Sequence, residues 1–275
     1  MQISAQLPIG VFDSGVGGLS VLKHLRAALP AEDFFYIADS GHAPYGVRNT
    51  DFIRTRAFAI GDFLTAQPVK ALVVACNTAT AAAVNELRAR YSVPVIAMEP
   101  GIKPAVEFSR SKIIGVLATA GTLESARFFS LINRYAVNAE VITQPCPGLV
   151  EAIEANDLSS TATSELLQRY LQPLLERGAD TIVLGCTHYP FLREQIASLV
   201  SADIAIIETG AAVARELKRR LEQQNLLSDA IAGDAENNGV VHIGTESFWS
   251  SGDIATVQSV IRQLWRDDAI VHALP

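Results

Sequence analysis

Strand-length apolar runs alternate with helix-length amphipathic segments along almost the whole chain, and this rhythm restricts the fold more than any other feature. Ile9–Phe12, Phe34–Ala38, Ala71–Ala75 and Val93–Ala97 are continuously apolar and read as strands buried on both faces. Leu19–Leu29, Asp51–Ala66 and Thr78–Arg90 between them carry helical spacing. The pattern resumes with strands at Ile113–Leu117, Glu140–Ile142, Thr181–Leu184 and Ala205–Ile207, and with helices around Leu123–Arg134, Thr161–Glu176 and Phe191–Leu199. Such alternation predicts right-handed crossovers and doubly wound parallel sheets, an α/β fold. Asn225–Gly239 is polar and reads as a surface loop, and Asp253–Arg266 as a helix with an acidic cap.

The chain also resembles itself. Ile9-Gly10-Val11-Phe12-Asp13-Ser14 has a counterpart in Ile114-Gly115-Val116-Leu117-Ala118-Thr119, 105 residues on. Val73-Val74-Ala75-Cys76-Asn77-Thr78 matches Val183-Leu184-Gly185-Cys186-Thr187-His188 at an offset of 110, and the segment Val95–Gly101 matches Ile204–Gly210 at 109. Any buried strand looks like another, but the cysteines fall at the same place in both copies. The expectation is two similar α/β lobes related by pseudo-symmetry, with the active site in the cleft between them. Pro100-Gly101 and Thr209-Gly210 are natural crossing points, which assigns 1–98 plus 210–275 to one lobe and 99–209 to the other.

Each cysteine closes a strand and opens a helix. The carboxyl ends of parallel strands are where open α/β sheets bind ligands, and a helix N-terminus favours a thiolate. With an ordinary pKa near 8.5 about 3% of a thiol is ionised at pH 7; a shift to about 7 would make that roughly half. Asp13 ends the strand beside Cys76, and His188 lies two residues from Cys186, so each thiol has a neighbour able to handle a proton. Two thiols approaching one carbon from opposite faces specify stereoinversion, one as thiolate and the other as thiol. Cys146, in Gln144-Pro145-Cys146-Pro147, has no counterpart in the other copy and reads as structural.

Other chemistries compete for these residues. Zinc takes three or four closely spaced ligands, whereas the chain offers only Cys186-x-His188 locally. A cysteine hydrolase would leave the second thiol without a task. Asp13-Ser14-Gly15-Val16-Gly17-Gly18-Leu19-Ser20 suits an anionic group at a helix N-terminus and invites a dinucleotide reading, with Asp39 22 residues after Gly17. Ser20 stands where the third glycine of that fingerprint belongs, and Asp13 would crowd a pyrophosphate. No lysine sits in a context suggesting a pyridoxal Schiff base, so no cofactor is expected. A formal charge of −7 argues against direct nucleic-acid binding, and no apolar run is long enough for a membrane span. Three cysteines and an opening MQISAQLPIG without the features of an export signal lead to the expectation of a soluble cytoplasmic protein.

On these residues the chain resembles the glutamate racemases of the cofactor-independent aspartate/glutamate racemase superfamily. The resemblance spans essentially the whole chain: Phe12-Asp13-Ser14-Gly15-Val16-Gly17-Gly18, Pro44-Tyr45-Gly46, Ala75-Cys76-Asn77-Thr78, Thr119-Ala120-Gly121-Thr122, the segment ending Leu149-Val150-Glu151, and Gly185-Cys186-Thr187-His188-Tyr189-Pro190. It implies interconversion of L- and D-glutamate, with D-glutamate supplied to peptidoglycan, and as the alternative within the superfamily racemisation of aspartate or of a broader range of amino acids. Cys76 would take the proton from the D-isomer with help from Asp13, and Cys186 from the L-isomer with help from His188 and Glu151. Asp13, Ser14, Tyr45, Gly46, Asn77, Thr78, Thr119, Thr122 and Thr187 would hold the substrate. The resemblance further implies a homodimer, and, as in some members, a cell-wall precursor or DNA gyrase as partner. The group usually carries an arginine where His42 stands, which leaves open how the Pro44-Tyr45-Gly46 loop is anchored.

Overall fold

The computed structural model describes residues 3–228 and 243–275. The expected loop Asn225–Gly239 lies, from residue 229 on, outside the described residues. The strands are β1 (Ile9–Asp13), β2 (Phe34–Ala38), β3 (Ala71–Val74), β4 (Val95–Ala97), β5 (Ile113–Ala118), β6 (Glu140–Pro145), β7 (Thr181–Leu184), β8 (Ala205–Ile207), β9 (Glu246–Ser250) and β10 (Val271–Ala273). They form one sheet of order β10-β9-β2-β1-β3-β4 and another of order β6-β5-β7-β8, with every pairing parallel.

Setting aside β9 and β10, the two sheets have the same order: β1 corresponds to β5, β2 to β6, β3 to β7 and β4 to β8. The internal repeat of the sequence is therefore a repeat of architecture, two pseudo-symmetric lobes. Continuity of apolar side chains makes the central strands, since helices cover both faces: all five residues of β1 and all four of β3 and β7 are buried. Phe12, Phe34 and Tyr36 are fully buried in the first lobe, each contributing about 1.5–3 kcal/mol relative to exposure.

Several local outcomes differ from the sequence expectation, among them the helices Ile102–Phe108, Leu149–Glu154 and Gly210–Gln223, which were not anticipated. The single helix around Leu123–Arg134 is two, Ala120–Leu123 and Ala126–Tyr135. Ser125 interrupts it: its hydroxyl donates to Thr122 O (2.7 Å) and accepts from Phe128 N (3.1 Å), starting a new helix. The helix expected at Phe191–Leu199 begins instead as a 3₁₀ turn, Tyr189–Leu192, and becomes α-helical only at Arg193–Leu199. Strands β9 and β10 were not anticipated, because Glu246–Ser250 is half polar and Val271–Ala273 very short. The last helix runs Ile254–Leu264 with Asp253 as its cap, accepting from Thr256 N at 2.9 Å. Among the described residues no helix is long and apolar enough to cross a membrane.

Candidate active site

Equivalent backbone bonds place the two thiols. Ala75 N donates to Phe12 O (2.8 Å) and Gly185 N to Leu117 O (2.7 Å), so Cys76 and Cys186 each emerge one residue later beside the neighbouring strand's end. Cys76 caps the helix Asn77–Arg90, its sulfur accepting from Ala79 N (3.4 Å), and its thiol donates to Ser14 Oγ at 3.8 Å. Asp13 beside it is wholly buried. Its Oδ2 accepts from Gly18 N (2.9 Å) and Gly15 N (3.4 Å), and Oδ1 from the Thr187 hydroxyl of the other lobe (3.4 Å).

Burial pushes the Cys76 thiol far up, and the Asp13 carboxylate adds to the effect; the helix N–H group at Ala79 pulls the other way and loses. The expected lowering toward neutrality is thus overturned at Cys76, because desolvation in a closed cleft outweighs a helix terminus. Asp13 is raised as well, chiefly by burial. Cys186 is among the charges that raise Cys76.

On the second side, Cys186 Sγ lies 3.7 Å from His188 Nδ1, and His188 Nε2 lies 2.6 Å from Glu154 Oε1. Burial opposes charging this imidazole, yet the hydrogen bonds to Cys186 and Glu154 override it and hold His188 well above its ordinary pKa. The carboxylate on His188 therefore belongs to Glu154. Glu151, the residue expected there, turns back on its own helix Leu149–Glu154 and accepts from Gly148 N at 3.1 Å, as the acidic member of a capping box. The missed residue had a sequence signal: Glu154 lies one helical turn beyond Glu151, on the same side of the helix.

The remaining expected ligands fall into distinct groups. Thr78, from the first lobe, meets Thr119 (2.9 Å) and Thr122 (3.1 Å) of the second through their hydroxyls. Asn77 is buried, and among the described residues no protein group bonds to its Oδ1 or Nδ2, which leaves both a donor and an acceptor free at the thiol's helix. Tyr45 turns its hydroxyl away to Asp39 Oδ2 (2.5 Å), so this loop offers its backbone at Gly46, packed against Thr119.

Asp39 also answers the question of the loop's anchor. It accepts from Arg56 Nε and one terminal nitrogen (2.9 and 2.8 Å), from Ser251 Oγ (2.7 Å) and lies 3.0 Å from His42 Nδ1. The guanidinium comes from the helix Thr50–Ala66. Burial works against the Asp39 carboxylate, but the bonds from Arg56, Tyr45 and Ser251 hold it below its ordinary value.

The glycine-rich turn has a different use from nucleotide binding. Val16 N donates to Glu154 Oε1 at 2.6 Å, so the anion at this helix start is the other lobe's own carboxylate. A Cβ on Gly15 would collide with Glu154, and one on Gly17 with the His188 ring. These glycines let the lobes meet. Ser20 Oγ, donating to Thr187 O at 2.7 Å, adds a further tie across the cleft.

Comparison with known proteins gives the class: residues 9–217 match the model of the Asp/Glu/Hydantoin racemase family, and the chain belongs to that family, whose members are isomerases. Its relatives narrow the field. A glutamate racemase from Methylococcus capsulatus is 54% identical over 268 residues, covering 98% of this chain and 95% of its own. The crystal structure of a glutamate racemase isoform from Bacillus anthracis superposes with a TM-score of 0.86 at 30% identity, covering 100% of this chain and 98% of that one. The Escherichia coli glutamate racemase, solved with L-glutamate and the activator UDP-MurNAc-Ala, gives 0.82 at 30% identity, with 98% of both chains covered.

Proposed function

We propose that this protein interconverts L- and D-glutamate without a cofactor, with Cys186 taking the α-proton of the L-isomer and Cys76 that of the D-isomer. The observation that carries the reading is the pairing itself: one thiol per lobe at equivalent strand ends, each backed by its own proton-handling group. As one thiolate removes a proton from Cα, the opposite thiol gives one to the other face, and the two exchange states. The imidazolium of His188 steadies a Cys186 thiolate, and Asp13 is placed to take up or return the Cys76 proton. Glutamate as substrate is supported by the three relatives, and by donors suited to carboxylates: the Thr78, Thr119 and Thr122 hydroxyls, the Asn77 amide and backbone N–H groups. Neutral donors bind the two carboxylates without adding further cationic charge near the thiols. Positioning both bases against a desolvated Cα supplies several kcal/mol of the barrier reduction, and general-base action a factor of about 10²–10⁴.

D-glutamate made in this way would supply peptidoglycan synthesis, and the activator held by the E. coli relative supports regulation by a cell-wall precursor. The test is racemisation of L-glutamate in deuterated water. The D-product gains deuterium before the remaining L-isomer does; equal early labelling of both would point to a single base and overturn the mechanism. Parallel rates on aspartate decide the length of side chain accepted.

A further inference from the structure

Tyr36 is fully buried on β2, two residues before the strand ends, and its hydroxyl donates to Gly15 O at 2.8 Å. A buried phenol needs an acceptor, and many a backbone carbonyl of the core would serve. This carbonyl belongs to the peptide that joins Gly15 to Val16, whose N–H leaves the lobe and donates to Glu154 Oε1 at 2.6 Å. In a planar trans peptide the C=O and N–H point in opposite directions. Among the described residues the only cis peptide is Ala43-Pro44, so Tyr36 and Glu154 grip the two ends of one rigid unit from opposite lobes. With glycine on its amino side that unit has few steric limits of its own, and its tilt is set by what holds it.

The same carboxylate oxygen, Oε1, lies 2.6 Å from His188 Nε2, while Ser40 Oγ donates to Oε2 at 2.9 Å. Ser40 alone would let the carboxylate pivot about Oε2; the Val16 N–H fixes where Oε1 stands. Burial, together with the Asp13 and Glu154 charges, holds the Tyr36 phenol well above its ordinary pKa, so it remains a donor at neutral pH. We propose that Tyr36 is a positioning residue for the Cys186 side: through the peptide between Gly15 and Val16 it keeps Glu154 aimed at His188. The inference rests on the two-thiol reading above and adds to it the control of one lobe's base by a core residue of the other. Tyr36 touches no reacting atom and acts through two hydrogen bonds in series.

A double-mutant cycle tests this, because residues that act through one another lose less together than the product of their separate losses. Tyr36→Phe removes only the hydroxyl and keeps the ring against Phe248, with 6.0 Å between centroids. It should lower kcat/KM for L-glutamate about ten-fold, part of the roughly 10² that a misplacement of about 1 Å can cost, with kcat falling and KM little changed. In Glu154→Gln, where the charge facing His188 is already gone, the same substitution should cost at most about two-fold. In Asp13→Asn, which disturbs the other base, it should again cost about ten-fold. Equal losses in the wild-type and Glu154→Gln backgrounds mark a structural role alone and overturn the inference. So does coupling to Asp13 in place of Glu154, or a Tyr36→Phe enzyme with full activity. Failure of the underlying reading looks different: racemisation persisting in both Cys76→Ser and Cys186→Ser.

Discussion

A carboxylate earns a catalytic role by what it touches, and the helix Leu149–Glu154 separates two carboxylates that the sequence alone presents as equals. Glu154 bonds to His188 and to the backbone of the opposite lobe, whereas among the described residues Glu151 bonds only to Gly148. Glu154→Gln keeps the shape but loses the charge facing the imidazolium. Its turnover of L-glutamate should fall at least ten-fold, a share of the roughly 10²–10⁴ that a positioned acid–base group contributes. Glu151→Ala should keep its turnover and give up only about 0.3–1.5 kcal/mol of stability with the capping box. Steady-state rates in both directions, with denaturant unfolding, separate the two. At Cys76 the expected effect is larger. Cys76→Ser should lose activity on D-glutamate by at least about 10², because an alcohol in that buried position is a far weaker acid than the thiol.

At the scale of elements, the segment from Asp39 to Val47 matters most, since it carries Gly46 to Thr119 and Ser40 to Glu154. Its anchor is the Asp39–Arg56 pair, in which the carboxyl is fully buried and the Arg56 side chain is 22% exposed. Removing one partner of a buried pair costs about 3–5 kcal/mol, and the partial exposure of Arg56 places Arg56→Met near about 3. The pH dependence has a definite sign. Because Asp39 is held below its ordinary pKa, its ionisation stabilises the fold above about pH 4 and that gain fades as pH falls through the lowered value. The stability difference between the wild type and Asp39→Asn should therefore be larger at pH 7 than at pH 3, measured by urea unfolding. Strands and helices whose pattern is set by burial, such as β1, β3 and the helix Thr161–Glu176, were legible in the sequence because apolar spacing records which faces are covered. The thiols and His188 were legible because strand ends locate them. Arg56 and β9 were not: each acquires its place through a partner more than a dozen residues away, and no local pattern encodes that contact.

The whole molecule is two copies of one strand order facing each other, and the chemistry depends on how closely they approach. Short polar ties cross the cleft, Ser20 to Thr187, Thr78 to Thr119 and Val16 to Glu154, beside a cluster of buried apolar side chains drawn from both lobes. Such ties need the backbones near one another, and Gly17 is one place where the approach closes on a reacting arm, the His188 ring occupying the space of its missing side chain. Gly17→Ala adds one methyl group to that contact. Gly17 does not adopt a positive φ, so alanine fits the backbone of the first lobe and that lobe should fold unchanged. The methyl instead pushes His188, and with it the second lobe, outward, lengthening Cys186–His188–Glu154 and drawing the thiols apart. Since a misplacement of about 1 Å can cost about 10² in rate, Gly17→Ala should lose at least that much turnover in both directions. Circular dichroism should stay unchanged, and small-angle scattering should report a larger radius of gyration. A variant that turns over normally would mean that closure tolerates a wider cleft than this geometry requires.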